Sequence, residues 1–224
     1  MVGPVIVLAV DTTTTFESVA VVREGTLLGE VRLPATDTHS RRVMPAVDFL
    51  LAEVGLSALQ LDGFAVTAGP GSFTGLRVGL STVQGLALAT GRPCYAACTL
   101  DVLACRIEGA APQRVALMDA FRGEVYAARY DAGGGRLDGP LVSAPEPWLR
   151  GLPAGCAFVG DAVAPQRALI EAVCAAPLFP ERSLFLAATL GRLGARALAA
   201  GEGVPAAELR PFYLREPTVR AAGA

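Results

Sequence analysis

The chain of 224 residues contains no lysine and no asparagine, one histidine, one tryptophan and three isoleucines. All nineteen basic residues are arginine, as expected of a GC-rich coding sequence, so arginine at Arg77 or Arg122 is not by itself read as bidentate phosphate recognition. The lone histidine, His39, excludes a zinc-protease helix, which needs two histidines one turn apart. Five cysteines, Cys94, Cys98, Cys105, Cys156 and Cys174, form no C-x-x-C pair. Their odd number and wide spacing disfavour a disulfide framework and a structural zinc, leaving small buried thiols as the expectation. No apolar run approaches the ~20 residues of a membrane span, so no membrane association is expected. No basic region precedes the first apolar run, so no secretory or transit peptide is expected and a cytoplasmic location is. A formal charge of −2 argues against a broad basic face, so nucleic acid would be held only jointly with partners. Against these absences stands a hydrophobic content of 52%, which points to apolar surface reserved for a partner.

The order of elements suggests two similar halves. Val5 to Val10 is a continuous apolar run ending at Asp11, as in a strand buried on both faces. Thr12 to Thr15 form a polar turn, and Ser18 to Arg23 and Thr26 to Leu33 predict a hairpin across Glu24-Gly25. With Thr36, Thr38 and Ser40 as candidate caps, Val43, Val47, Leu50, Leu51 and Val54 predict a helix up to Gly55, with Pro45 in its first turn or at a kink. A strand at Phe64 to Thr67 precedes Gly69-Pro70-Gly71-Ser72-Phe73-Thr74-Gly75. Ser72 or Thr74 would then cap a helix with its stripe at Leu76, Leu80, Val83 and Ala87. A strand from Cys94 to Ala97 and a helix from Leu100 to Ile107 close the first half. After a hinge at Ala110 to Gln113, Val115 to Met118 runs into Asp119 as Val5 to Val10 runs into Asp11, and Val125 to Arg129 with Gly133 to Gly135 repeats the hairpin. Helices at Glu146 to Arg150, Gln166 to Val173 and Leu184 to Ala200 follow, with a strand Ala157 to Val159 before Gly160-Asp161. Two βββαβα halves, 1–109 and a reduced 110–224, make an α/β chain with the duplication of the actin-like ATPase fold.

Several residues could carry chemistry. Asp11 and Thr12 stand where such folds bring a carboxylate and hydroxyls to metal-nucleotide phosphates, although an Asp capping its own turn explains them equally well. Asp119 and Asp161 are their counterparts in the second half, without a glycine-rich adenosine-binding stretch after Asp161. His39, Ser40 and Asp48 lack the motif of a hydrolase nucleophile and suit a helix start better. The glycine loop leaves helix-start amides for an anion or a closely packed neighbour. Gly75 and Gly79, one turn apart and extended by Thr82 and Leu86, form a small-residue face for a second helix, within the chain or on a partner. Met44, Val47, Phe49, Leu50 and Leu51 make the preceding helix apolar over too much of its circumference for one buried face.

Leu8-Ala9-Val10-Asp11-Thr12, Ser18 to Val21, Thr38-His39-Ser40 and above all Gly69-Pro70-Gly71-Ser72-Phe73-Thr74-Gly75-Leu76-Arg77-Val78-Gly79 resemble the TsaB (YeaZ) family. Weaker echoes are Asp119-Ala120 with Arg122 to Tyr126, and Pro211 to Arg215; Phe121 replaces a more usual arginine. The resemblance implies a non-catalytic partner of TsaD, the tRNA threonylcarbamoyladenosine synthase. TsaD would be bound through the two first-half helices, with Met44, Val47, Leu50, Leu51, Gly75, Gly79, Thr82 and Leu86 at the interface. It further implies a complex with the ATPase TsaE, tRNA reached through that complex, and self-association by the same helices when the partner is missing. No cofactor intrinsic to this chain is implied, with ATP or ADP at the complex interface. The related catalyst draws metal-binding histidines from two motifs, whereas this sequence has His39 alone and Thr99-Leu100-Asp101 at the second place. A small ATP-dependent kinase or ATPase of the same fold is the alternative.

Overall fold

In a computed structural model, residues 4–34 and 39–215 are described. The first half is a five-stranded sheet ordered β3-β2-β1-β4-β5, with β1 (Ile6–Asp11), β2 (Phe16–Arg23), β3 (Thr26–Pro34), β4 (Gly63–Gly69) and β5 (Cys94–Cys98). β1 lies antiparallel to β2 and parallel to β4. The second sheet repeats this arrangement in the order β8-β7-β6-β9, with β6 (Gln113–Asp119), β7 (Val125–Asp131), β8 (Arg136–Ser143) and β9 (Ala157–Val159). Both parallel pairings are made by the strand that ends in the paired aspartates, which places Asp11 and Asp119 at equivalent positions.

Side chains alternate across β1, which explains its unbroken apolar run. Leu8 and Val10 join Phe64 and Val66 beneath α1 (His39–Glu53) and α2 (Phe73–Thr90), whose inward residues include Val47, Leu50, Leu80 and Val83. Val7, Ala9, Ala20 and Ala65 face the other way. They meet α3 (Thr99–Cys105), α6 (Ala187–Ala199) and one face of the second sheet, so a single core joins the halves. The outer face of the second sheet is covered by α4 (Pro145–Leu149) and α5 (Val163–Val173).

Two expectations change. The last helix does not belong with the second half: α6 packs on β1, β2, β4 and β5, Val204 pairs with Cys94, and the Phe212 amide donates to the Ala68 carbonyl at 2.6 Å. The first sheet has two apolar faces, and α3, with seven residues, is too short to cover the second one. Pro45 is the seventh residue of α1 and not in its first turn. It offers no N–H to the Arg41 carbonyl, but both residues lie on the exposed side, where that loss costs least. The candidate caps Thr36 and Thr38 lie outside the described residues. Element ends move by one to three residues, α6 starting at Ala187 and α5 at Val163.

α6 lies close to the sheet because Gly191 and Gly194, almost one turn apart, have no side chain there. A Cβ on Gly191 would sit 2.6 Å from Val22 Cγ2, and one on Gly194 2.7 Å from Ala65 Cβ. Gly194→Leu should therefore wedge the helix away and destabilise the fold by ~1–3 kcal/mol, read as a lower denaturant midpoint with an unchanged slope.

Candidate functional site

The glycine loop ends β4 and starts α2, with the Ser72 hydroxyl capping the helix by accepting from the Gly75 amide at 3.2 Å. Its neighbour is neither an anion nor another helix. The turn after β1 fills the space: the Ser72 amide donates to the Thr13 carbonyl at 2.8 Å, and Thr12 Oγ1 donates to the Gly75 carbonyl at 2.7 Å. A Cβ on Gly71 would overlap the Thr13 backbone and one on Gly75 the Thr12 carbonyl, while one on Gly79 would lie 2.5 Å from Thr12 Oγ1. The small-residue face thus receives the chain's own turn, which corrects the expectation that Gly75 and Gly79 present it to a second helix.

Asp11 holds this turn from beneath. Its Oδ1 accepts from Thr67 Oγ1 at 2.6 Å, Thr13 Oγ1 at 2.7 Å and the Thr13 amide at 3.2 Å, tying β1 to β4. Oδ2 is buried with no hydrogen-bond partner among the described residues. Burial pushes the Asp11 carboxyl above its ordinary range; the bonds from Thr67 and Thr13 oppose the shift, and the nearby Glu17 adds to it. Asp11 is fully buried and Thr12 nearly so. The two residues expected to reach a nucleotide are therefore enclosed by the chain itself.

The opening between the halves lies one layer above. A cleft of about 160 Å³ is lined by Thr13, Thr14, Thr15, Gly71 and Ser72 on one side and Met118, Asp119, Phe121 and Asp161 on the other. The Asp119 amide donates to Asp161 Oδ1 at 3.0 Å, and Asp119 Oδ1 accepts from the Phe121 amide at 2.8 Å. Burial raises the Asp161 carboxyl, partly offset by that Asp119 amide. Phe121 and Arg122 have φ of 60° and 57° in the tight turn after β6. The C-terminal segment straps the cleft's edge: Tyr213 packs on Phe73, and Arg215 donates to the Ala120 carbonyl and pairs with Glu124. Among the described residues, two carboxylates and no basic side chain line the cleft. With the helix-start loop already filled by Thr12 and Thr13, its amides are not open to a phosphate, and the cleft is left with carboxylates and hydroxyls.

On the opposite side of the first sheet, α1 and α2 pack together and turn apolar residues outward. Phe49 is 59% exposed, Leu88 71% and Met44 38%. Phe49 lies in a shallow groove of about 280 Å³ between β3 and α1, lined also by Val31, Leu33, Pro45 and Ala46 among others. Of the expected interface residues, Met44 is on the outward face and Thr82 and Leu86 are half-buried at its margin. Val47, Leu50, Leu51, Gly75 and Gly79 are buried inside the chain, because they are the residues that seat the helices on the sheet and on the Thr12 turn. Leu88 on α2 is exposed and outside the expected set, and Phe73, half-covered by Tyr213, lies at the cleft's edge. The signal for Leu88 was in the sequence, an apolar residue outside the Leu76, Leu80, Val83 and Ala87 stripe.

Residues 33–209 match the family model of TsaD, tRNA N6-adenosine threonylcarbamoyltransferase. The structure superposes on YeaZ from Pseudomonas aeruginosa with a TM-score of 0.80 and 32% identity, covering 94% of this chain and 100% of that one. The chain carries a TsaD-type domain and belongs to the TsaB (YeaZ) family. An uncharacterised Mycobacterium tuberculosis protein is 34% identical over 216 residues, 96% of this TsaB chain and 93% of that protein. The Escherichia coli tRNA threonylcarbamoyladenosine biosynthesis protein TsaB is 38% identical over 129 residues, about half of each chain (55% and 54%). An activator of 2-hydroxyisocaproyl-CoA dehydratase from Clostridium difficile aligns with a TM-score of 0.55 at 9% identity, which shows the fold alone. The fold of this TsaB chain is thus the two-half, actin-like ATPase fold expected.

In this TsaB chain the folded state holds the Asp11 proton more tightly than the unfolded state does. The stability due to that proton is fully present below the ordinary carboxylate value of 3.8 and is lost as pH rises through the folded value. Asp11→Asn keeps the acceptor used by Thr13 and Thr67 and removes the buried charge. It should match or exceed the parent's stability at pH 8, with the difference disappearing below about pH 4. Chemical denaturation across that range checks this; a loss above about 1 kcal/mol at pH 8 would show that the charge itself holds the turn.

Proposed function

We propose that this chain is the non-catalytic subunit that docks onto a TsaD transferase and activates threonylcarbamoylation of the tRNA adenosine beside the anticodon. The outward apolar face of α1 and α2 carries this reading: it spends two large side chains, Phe49 and Leu88, on surface that the fold does not need. Aromatic and aliphatic anchors inside a rim of charged residues are what a stable protein interface requires, and Arg41, Asp48, Glu53 and Arg77 supply the exposed charge around them. The biosynthetic role named for the Escherichia coli relative supports the process. Transfer chemistry then belongs to TsaD, and TsaE joins the complex. ATP or ADP is held at the interface of the complex and not by this chain alone. Without TsaD the same face buries itself against a second copy. No described helix is long and apolar enough to cross a membrane, and a tRNA-modifying assembly of this kind works in the cytoplasm.

Because Val47 and Gly79 are interior, informative variants are those on the exposed face. Phe49→Asp with Leu88→Asp should weaken association with TsaD by roughly 100-fold or more while thermal unfolding stays unchanged. Reconstituted threonylcarbamoylation with and without the chain gives the functional reading. Undiminished binding by the double variant would remove these helices from the interface. Mg²⁺-ATP hydrolysis by the chain alone, abolished by Asp119→Asn, would favour the kinase or ATPase alternative, since Asp119 is the more exposed of the two carboxylates that line the cleft.

A further inference from the structure

The chain's net charge is −2, yet arginines crowd one edge of the first sheet. Arg32 on β3 pairs with Glu30 at 2.6 Å and lies over the Phe185 ring, 5.4 Å from its centre. Phe185 meets Phe16 edge-on at 5.4 Å. Arg106, just after α3, donates to the Ser183 carbonyl and to Thr189 Oγ1, both at 3.1 Å, and Arg192 of α6 donates to the Gly25 carbonyl at 3.0 Å. Burial lowers the affinity of Arg106 for its proton; Glu30 opposes this, while Arg32, Arg192 and Arg182 push further in the same direction. Arg182 is exposed, and its guanidinium reaches the Glu181 carbonyl.

These side chains come from four separate stretches of sequence, so codon bias explains why they are arginine but not why they converge. Counting the flanking Glu24 and Glu181 with Glu30, four arginines meet three glutamates, a local surplus of +1 on a chain of net charge −2. Glu30 is committed on both sides, because its Oε1 accepts from the Ala188 amide at the start of α6 while Oε2 takes Arg32. Like charges this close repel one another, and an external anion would offset that repulsion. Guanidinium groups interleaved with aromatic rings suit one class of anion best: phosphodiesters carrying bases that stack on rings and on guanidinium planes.

We propose that the face formed by Arg32, Arg106, Arg182, Arg192, Phe16 and Phe185 is a docking surface for RNA, with phosphates on the arginines and an unpaired base at the Phe185–Arg32 stack. This deepens the function proposed above by giving the chain its own contact with the tRNA, on a face different from the apolar face of α1 and α2.

Binding of a labelled, unmodified tRNA transcript to the full chain is measured by fluorescence anisotropy over a salt series starting near 50 mM. Arg182→Glu with Arg192→Glu should weaken binding roughly tenfold or more and lower the slope of log K against log salt by about 1–2. Arg92→Glu with Arg150→Glu, which sit beside Leu59 and Glu146 and away from this face, should leave binding unchanged. Arg182→Gln alone, at an exposed position, gives a smaller loss in the same direction and guards against misfolding of the double variant. Absence of tRNA binding by the parent at low salt, equal losses from both double variants, or tighter binding of inorganic polyphosphate than of tRNA would overturn the assignment. TsaD association is measured on the same proteins. Lost RNA binding with retained association supports two separate faces, whereas retained TsaD binding by the Phe49/Leu88 variant counts against the docking role and leaves the RNA result standing.

Discussion

A fully buried carboxylate at the end of β1 sets the geometry on which the first half depends. Asp11 cannot be solvated where it sits, so it draws on the hydroxyls of Thr13 and Thr67 and on the Thr13 amide. That pins the following turn against β4 and pushes Thr12 and Thr13 outward into the start of α2. Glycine at 71, 75 and 79 is the steric consequence, because any side chain there would strike Thr12 or Thr13. Once α2 is seated at this depth, α1 packs beside it, and the position of both helices determines which of their residues face out.

The same constraint separates the two halves functionally. Asp119 occupies the position of Asp11 in the second sheet but remains exposed, capping its own turn through the Phe121 amide. No glycine helix covers it, and the C-terminal strap crosses beside it to fasten Arg215 on the Ala120 carbonyl and Glu124. Duplication thus supplied two equivalent aspartates. One became an internal fastening and the other the wall of a small acidic cleft. The exposed apolar residues of α1 and α2 and the arginines at the edge of β3 and α6 lie away from this cleft.

Much of this was legible in local sequence. The unbroken run from Val5 to Val10 required cover on both sheet faces, and the repeat of strand, aspartate and hairpin at Asp119 revealed the duplication. Of the two candidate caps, Ser72 is the one that caps α2, which ends at a left-handed Gly91. Less legible was Arg114, a fully buried arginine on β6 whose Nη1 donates to the Ala104 carbonyl at 3.1 Å and Nη2 to the Asp131 carbonyl at 3.0 Å. Nothing in its neighbours' identities distinguishes it from the surface arginines.

By itself the sequence determined the secondary elements, their duplicated order and the family, because these follow from periodicity, caps and a short motif read along the chain. Only the tertiary structure decided what Gly75 and Gly79 are for, which half owns the last helix, and which apolar residues of α1 and α2 remain outside. The physical reason is common to all three. Each depends on what arrives from a distant segment to fill a given space: the turn after β1 beneath α2, α6 on the uncovered face of the first sheet, and that sheet itself beneath Val47, Leu50 and Leu51. A small-residue stripe indicates that something approaches closely, but it carries no information about the partner. Here that partner was the Thr12–Thr13 turn, earlier in the same chain, held in place by one buried aspartate.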